Sequence, residues 1–151
     1  MRRIARKEIF KVNPYLPGKP IEEVQRELGL KEIIKIASNE SPLSPSPRVI
    51  KAITRAAHSL NRYPDGNCFY LRRKLARQLR VKENQLIFGN GSDELIVLTV
   101  RAFVNPGEEI IVAKPTFLIY EIAGTISGAK VIKAPLRDFR YDLKAMKAKV
   151  T

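Results

Sequence analysis

Tryptophan is absent from this chain, and cysteine and histidine occur once each, as Cys68 and His58. A single cysteine excludes a disulfide within the chain, and the pair leaves too few soft ligands for most internal zinc sites. A histidine-based catalytic triad is excluded on the same count, since His58 falls in a segment that reads as a surface helix. Cys68 opens a helix-like stretch, where a small packing residue is the expected role. No apolar run approaches the ~18–20 residues that a membrane span needs. The basic start, residues 1–7, is not followed by the apolar core of a signal peptide, so a cytoplasmic protein without membrane contact is expected.

Acidic residues are also scarce: 28 Lys and Arg stand against 15 Asp and Glu, a net charge of +13. Such an excess can mark a nucleic-acid binder. The cations are spread over the whole chain, however, with only a modest cluster at Arg72, Arg73, Lys74, Arg77 and Arg80. No aromatic residues interleave with that cluster, as they would on a platform for single strands. A solvated helix face is the simpler account, and a partnership with nucleic acid is not expected. A positive field would also suit an enzyme whose ligands carry phosphate. A non-catalytic basic binding module is the competing reading, and it rests on charge alone. With 151 residues, 44% of them hydrophobic, the chain has the make-up of one globular domain or a piece of one.

What is present divides into two grammars. Residues 1–19 read as an irregular arm. Pro20 then opens a short helix with Ile21, Val24 and Leu28 on one face and Gly29 as its stop. Residues 33–36, Ile-Ile-Lys-Ile, read as a strand, and the proline-rich residues 38–47 as a loop. Ser46 and Pro47 form an N-cap and first-turn pair for a helix striped by Val49, Ile50, Ile53 and Leu60. A turn at residues 61–66 precedes a second helix, from about Phe69 to Arg80. From Leu86 the pattern becomes strand, glycine turn, helix, strand. Residues 86–88 read as a buried strand, Gly89-Asn90-Gly91 as the turn, and Ser92 as the cap of the following helix. Residues 110–113 form the next strand, Thr116 to Ile126 a helix ended near Gly128, and Val131-Ile132 the start of a third strand. Strands alternating with helices of this length predict an α/β fold with a parallel sheet covered on both faces.

The strand-turn-helix at residues 88–94 carries the best chemical signal. A glycine turn admits close approach of a ligand, and a helix start offers free N–H groups at a positive dipole end. It is neither a Walker loop nor a dinucleotide fingerprint. Taken alone, it can equally be a plain connection, with Asp93 and Glu94 satisfying the helix start. Asn61-Arg62-Tyr63-Pro64-Asp65-Gly66 adds a phenol and a guanidinium on a rigid turn, both able to hydrogen-bond phosphate. Phe117 follows the second strand, where α/β sheets place ligands, although a core phenylalanine reads the same way.

Five motifs, in order and at matching spacings, carry a resemblance. Residues 35–43 are similar to the LASNENPLG motif of the histidinol-phosphate aminotransferase family, within the class I/II pyridoxal-phosphate-dependent aminotransferases. Residues 61–66 resemble its NRYPDG, residues 88–94 its GNGSDE, residues 115–117 its PTF or PTY, and Asn13-Pro14-Tyr15 its N-terminal arm. The resemblance implies the first part of the pyridoxal-phosphate transferase fold type I, like aspartate aminotransferase, with an incomplete, mainly parallel sheet. It implies a division into residues 1–45, an arm with a short helix and strand, and residues 46–151, the first part of a large cofactor-binding domain.

The cofactor implied is pyridoxal 5'-phosphate, its phosphate held by the backbone at Gly91, Ser92 and Asp93 and its ring faced by Phe117. Tyr63 would reach the cofactor phosphate of the other subunit of a homodimer, and Tyr15 and Asn39 would line the substrate side. The substrates implied are a phosphorylated amino alcohol and a 2-oxo acid: histidinol phosphate and 2-oxoglutarate. Aromatic-amino-acid aminotransferases and threonine-phosphate decarboxylases share these motifs. The family's Schiff-base lysine, and the aspartate that pairs with the pyridine nitrogen, would fall beyond Thr151. This chain alone is therefore expected not to transaminate. Half of a split enzyme is one form that expectation can take.

Overall fold

The computed structural model describes residues 4–151, so the first three residues of the expected arm lie outside the described residues. Two compact units divide the chain: Leu16–Ile87, and the residues up to Tyr15 joined with Phe88–Thr151.

The unit Leu16–Ile87 is helical. Helix α1, Ile21–Leu28, begins after Pro20 and stops at Gly29, whose left-handed φ of 66° lets its N–H return to the Gln25 carbonyl at 2.8 Å. This is the terminator expected from the glycine. Helix α2, Pro47–Ala57, starts with proline in its first turn as expected, but the Ser46 hydroxyl caps no N–H. Helix α3, Phe69–Leu79, is capped from further back, because the Asp65 carboxylate accepts the N–H groups of Asn67 and Phe69, each at 2.9 Å. Arg72 leaves the solvated face assigned to it: its guanidinium donates to the carbonyls of Asn67, Glu83 and Leu86. It thereby ties both ends of α3 to the segment that follows. Among the described residues, Ala76 is the one buried side chain of this unit.

Two expected strands do not form. Residues 33–36 join no strand ladder among the described residues, and Ile34 and Ile36 are 90% and 97% exposed. Residues 86–88 likewise lack a ladder, and Ile87 is exposed rather than buried. The physical reason is common to both. An apolar β-prone run becomes a strand only when a neighbour takes its N–H and C=O groups.

In the second unit the α/β pattern appears. Helix α4, Ser92–Phe103, leads to strand β1, Glu109–Lys114; helix α5, Leu118–Ile126, leads to strand β2, Lys130–Arg137. β1 and β2 are parallel, with Ile110 beside Val131 and Ala113 beside Ala134. Val112, Ala113, Ala123 and Ala134 form the buried core. Gly124 brings α5 down onto the strands: a Cβ there would collide with Ile110 Cδ1 and stand 3.2 Å from Val131 Cγ2. A short strand β3, Arg140–Tyr141, folds back antiparallel onto β2 before helix α6, Leu143–Lys147. The hairpin turns through Asp138 and Phe139, both at positive φ (49° and 59°), as a type I′ turn requires. Part of the arm expected to be irregular is a 3-10 helix, Lys7–Lys11, that packs on α5. Among the described residues no helix is long and apolar enough to cross a membrane.

Candidate functional site

α4 begins one residue earlier than the expected cap at Ser92 allows. Ser92 is already helical, and Gly91 takes the cap position at φ 91° and ψ 174°. No side chain caps this start. The first N–H groups of any helix lack an acceptor within it. Gly91, Ser92 and Asp93 therefore present their amides at the positive end of a twelve-residue helix, and all three residues are exposed. A Cβ at Gly91 would meet nothing within 4 Å, so the space in front of the turn is open.

The acidic residues of the first turn do not simply neutralise it. Glu94 folds backward, and its Oε2 accepts the Asn90 N–H at 2.6 Å. A Cβ on Gly89 would lie only 2.8 Å from that oxygen and 3.0 Å from Leu95 Cδ2. The two glycines thus serve different ends: Gly89 admits the packing of α4 behind the turn, and Gly91 supplies the backbone angle.

Phe117 occupies the cap position of α5, directly after the cis Lys114–Pro115 peptide and Thr116. The helix starts two residues later than the expected Thr116. The Phe117 ring is neither core nor free, being 39% exposed. Tyr15 packs edge-on against it at 6.2 Å between centroids, and Tyr120 does the same at 6.3 Å, with interplanar angles of 86° and 88°. The structure thus brings Tyr15 to Phe117, two residues read separately as site candidates. Tyr120 was missed, although its place one helical turn beyond Phe117 was legible. α4 ends at Phe103, ahead of β1, and packs along α5, which leaves the far end of β1 through residues 115–117. This connectivity starts α5 at the carboxyl end of β1, where open α/β sheets bind ligands.

Tyr63 and Asn39 belong to the other unit. Tyr63 stands on the turn before α3 with its side chain fully exposed, at 102%. Asn39 follows Ser38 in the left-handed region, at φ 50° and 65° respectively, a conformation that asparagine tolerates better than most residues. Lys35 and Glu40 close this loop with an ion pair of 2.9 Å.

A small three-stranded sheet with β1 and β2 parallel and helices packed on it is the first part of fold type I of the pyridoxal-phosphate-dependent transferases. The chain belongs to the aminotransferase class I and II family, whose profile matches residues 31–151. Among curated relatives, it is 53% identical to the histidinol-phosphate aminotransferase of Moorella thermoacetica over 146 residues, covering 97% of this chain and 38% of that protein. It is 50% identical to that of Caldicellulosiruptor saccharolyticus, covering 92% and 39%. A solved histidinol-phosphate aminotransferase from Sinorhizobium meliloti, in complex with pyridoxal-5'-phosphate, superposes with a TM-score of 0.82 at 27% identity, covering 96% and 38%. Aspartate aminotransferase from Thermotoga maritima shares the fold at a TM-score of 0.76 and 17% identity, covering 97% and 42%. The chain therefore spans about two fifths of the length of the relatives it matches.

Proposed function

We propose that this chain supplies the phosphate-holding and ring-facing part of the active site of a histidinol-phosphate aminotransferase. The reaction would be histidinol phosphate and 2-oxoglutarate exchanging amine and carbonyl to give imidazole acetol phosphate and glutamate. The observation that carries the reading is the helix start at Gly91, Ser92 and Asp93, open and uncapped in a member of this family.

The residues present fit pyridoxal 5'-phosphate. Three amides lie at a helix start, where a dianionic phosphate gains most from the dipole, no side chain caps them, and a Cβ at Gly91 would meet nothing within 4 Å. Phe117 offers a π face, which is all that stacking demands. Pyridoxal phosphate supplies an electron sink for the carbon that loses its proton. The chain's own part is binding and orientation. The amides anchor one end of the ring system, Phe117 sets its plane, and Tyr15 buttresses Phe117 from the substrate side. Tyr63, fully exposed on its turn, would serve the phosphate of a second subunit in a homodimer, and Asn39 the substrate. Residues 46–151 would form the first part of the cofactor-binding domain, residues 1–45 the arm before it, and the protein would work in the cytoplasm.

A chimaera tests the reading. This chain replaces the matching first part of the Moorella thermoacetica relative, and glutamate formation from histidinol phosphate and 2-oxoglutarate is measured. Turnover that prefers histidinol phosphate over phenylalanine or tyrosine is the expected result. A folded chimaera that prefers the aromatic amino acids, or binds no pyridoxal phosphate, would overturn it.

A further inference from the structure

A carboxylate next to an anion cradle is electrostatically out of place, because like charges at short range oppose one another. Glu94 lies in the first turn of α4, and its side chain reaches back past the cap to Asn90. Oε2 takes the Asn90 N–H at 2.6 Å, and the two carboxylate oxygens lie 3.4 and 3.3 Å from Asn90 Nδ2. A Cβ at Gly89 would stand 2.8 Å from that oxygen, so the glycine leaves the space the carboxylate occupies. Two consequences follow for a ligand. The Asn90 amide is already occupied, so the donors that remain ahead of Glu94 itself are those of Gly91, Ser92 and Asp93. The Gly89–Asn90 peptide, one step ahead of Gly91, is also held, at the point where the chain turns into those three N–H groups.

We infer that Glu94 is a positioning residue for the phosphate site, acting through Asn90 to set which amides receive the anion and where it sits. The inference rests on the reading of this helix start as the cofactor-phosphate site. It assigns the role to the acceptor oxygen and not to the charge. Glu94→Gln, which keeps an acceptor and loses the charge, should therefore be tolerated where Glu94→Ala is not.

The test uses the 151-residue chain labelled with 15N and titrated with pyridoxine 5'-phosphate. This probe has no aldehyde, so the lysines cannot form an imine with it. In the unaltered chain, saturable shifts are expected at the amides of Gly91, Ser92 and Asp93, with Asn90 nearly still. Glu94→Ala should weaken binding about tenfold, the upper end of what an ordinary hydrogen bond is worth, and let Asn90 join the shifting amides. Glu94→Gln should bind as the unaltered chain does or more tightly. If Glu94→Ala loses a dispersed spectrum, Glu94→Asp, one methylene too short to reach Asn90, replaces it with the same expectation. Unchanged affinity in the Ala or Asp variant, or a Gln variant as weak as Ala, overturns the inference while leaving the site reading intact. No shift at residues 91–93 of the unaltered chain overturns both.

Discussion

At Gly91 the backbone sits at φ 91° and ψ 174°, a region that essentially only glycine enters without strain. Because a Cβ there would touch nothing within 4 Å, the cost of a side chain is conformational and not steric. Gly91→Ala should therefore lower stability by about 1–3 kcal/mol in urea titration, and should weaken phosphate binding as the turn relaxes toward an ordinary angle. Asp65 makes a different demand. The Phe69 N–H first, and the Asn67 N–H second, hold its carboxyl below the ordinary value of 3.8. A depressed folded value means that the cap's contribution is complete above the unfolded-chain value and disappears as pH falls through the lower folded one. The start of α3 should accordingly loosen in acid below 3.8 and not above it. The amide shift of Phe69 against pH checks this. An inflection at or above the ordinary value, or one that persists in Asp65→Asn, contradicts it.

Between residues and the whole lie the elements, and Gly124 shows how two element-scale preferences compete. Alanine is the better helix former by ~0.5–1 kcal/mol. In α5, though, its methyl would run into Ile110 and Val131, which are register partners in β1 and β2 and cannot separate without breaking the ladder. Overpacking of this kind costs ~1–3 kcal/mol, so Gly124→Ala should destabilise by about 1–2 kcal/mol in chemical denaturation, against its propensity. The elements legible in the sequence were those whose signals are local or whose partners lie within the chain. Pro20 with Gly29, Pro47, and the run ending at Gly128 bounded helices correctly. β1 and β2 could be read because they pair with each other.

Residues 33–36 and 86–88 carry the composition of strands without a neighbour to pair with, and composition does not encode a partner. β3 was missed because its turn uses Asp138-Phe139, where the recognisable signal is a glycine in second place. Of the candidate site, the glycine turn and Phe117 were legible as types. The backward reach of Glu94, and the two perpendicular tyrosine contacts of Phe117, depend on turn geometry that a residue list does not contain.

For the molecule as a whole, charge and exposed apolar surface pull against each other. The unit Leu16–Ile87 buries Ala76 alone, while Val49, Ile50 and Ile53 of α2, and Leu60 beyond the end of α2 at Ala57, lie in the open. In the other unit β1 pairs only with β2 among the described residues, so its second edge offers an unfilled row of donors and acceptors. Apolar faces and open edges of this kind favour association, whereas a net charge of +13 holds copies apart. Repulsion between surface charges is screened over about 8 Å at physiological ionic strength and over less as salt rises, but apolar contact is not. Added sodium chloride should therefore shift the isolated 151-residue chain from monomer toward larger species in sedimentation velocity. Its urea m-value should also fall at or below the low end of the ~1–3 kcal/mol per molar typical of small proteins, because little apolar surface is hidden to begin with. A basic module built to bind nucleic acid would behave otherwise, staying monomeric in high salt and releasing its ligand there. A sharp, high-m transition with a salt-independent monomer would show that this chain closes its own core, and that its exposed helix faces need no cover.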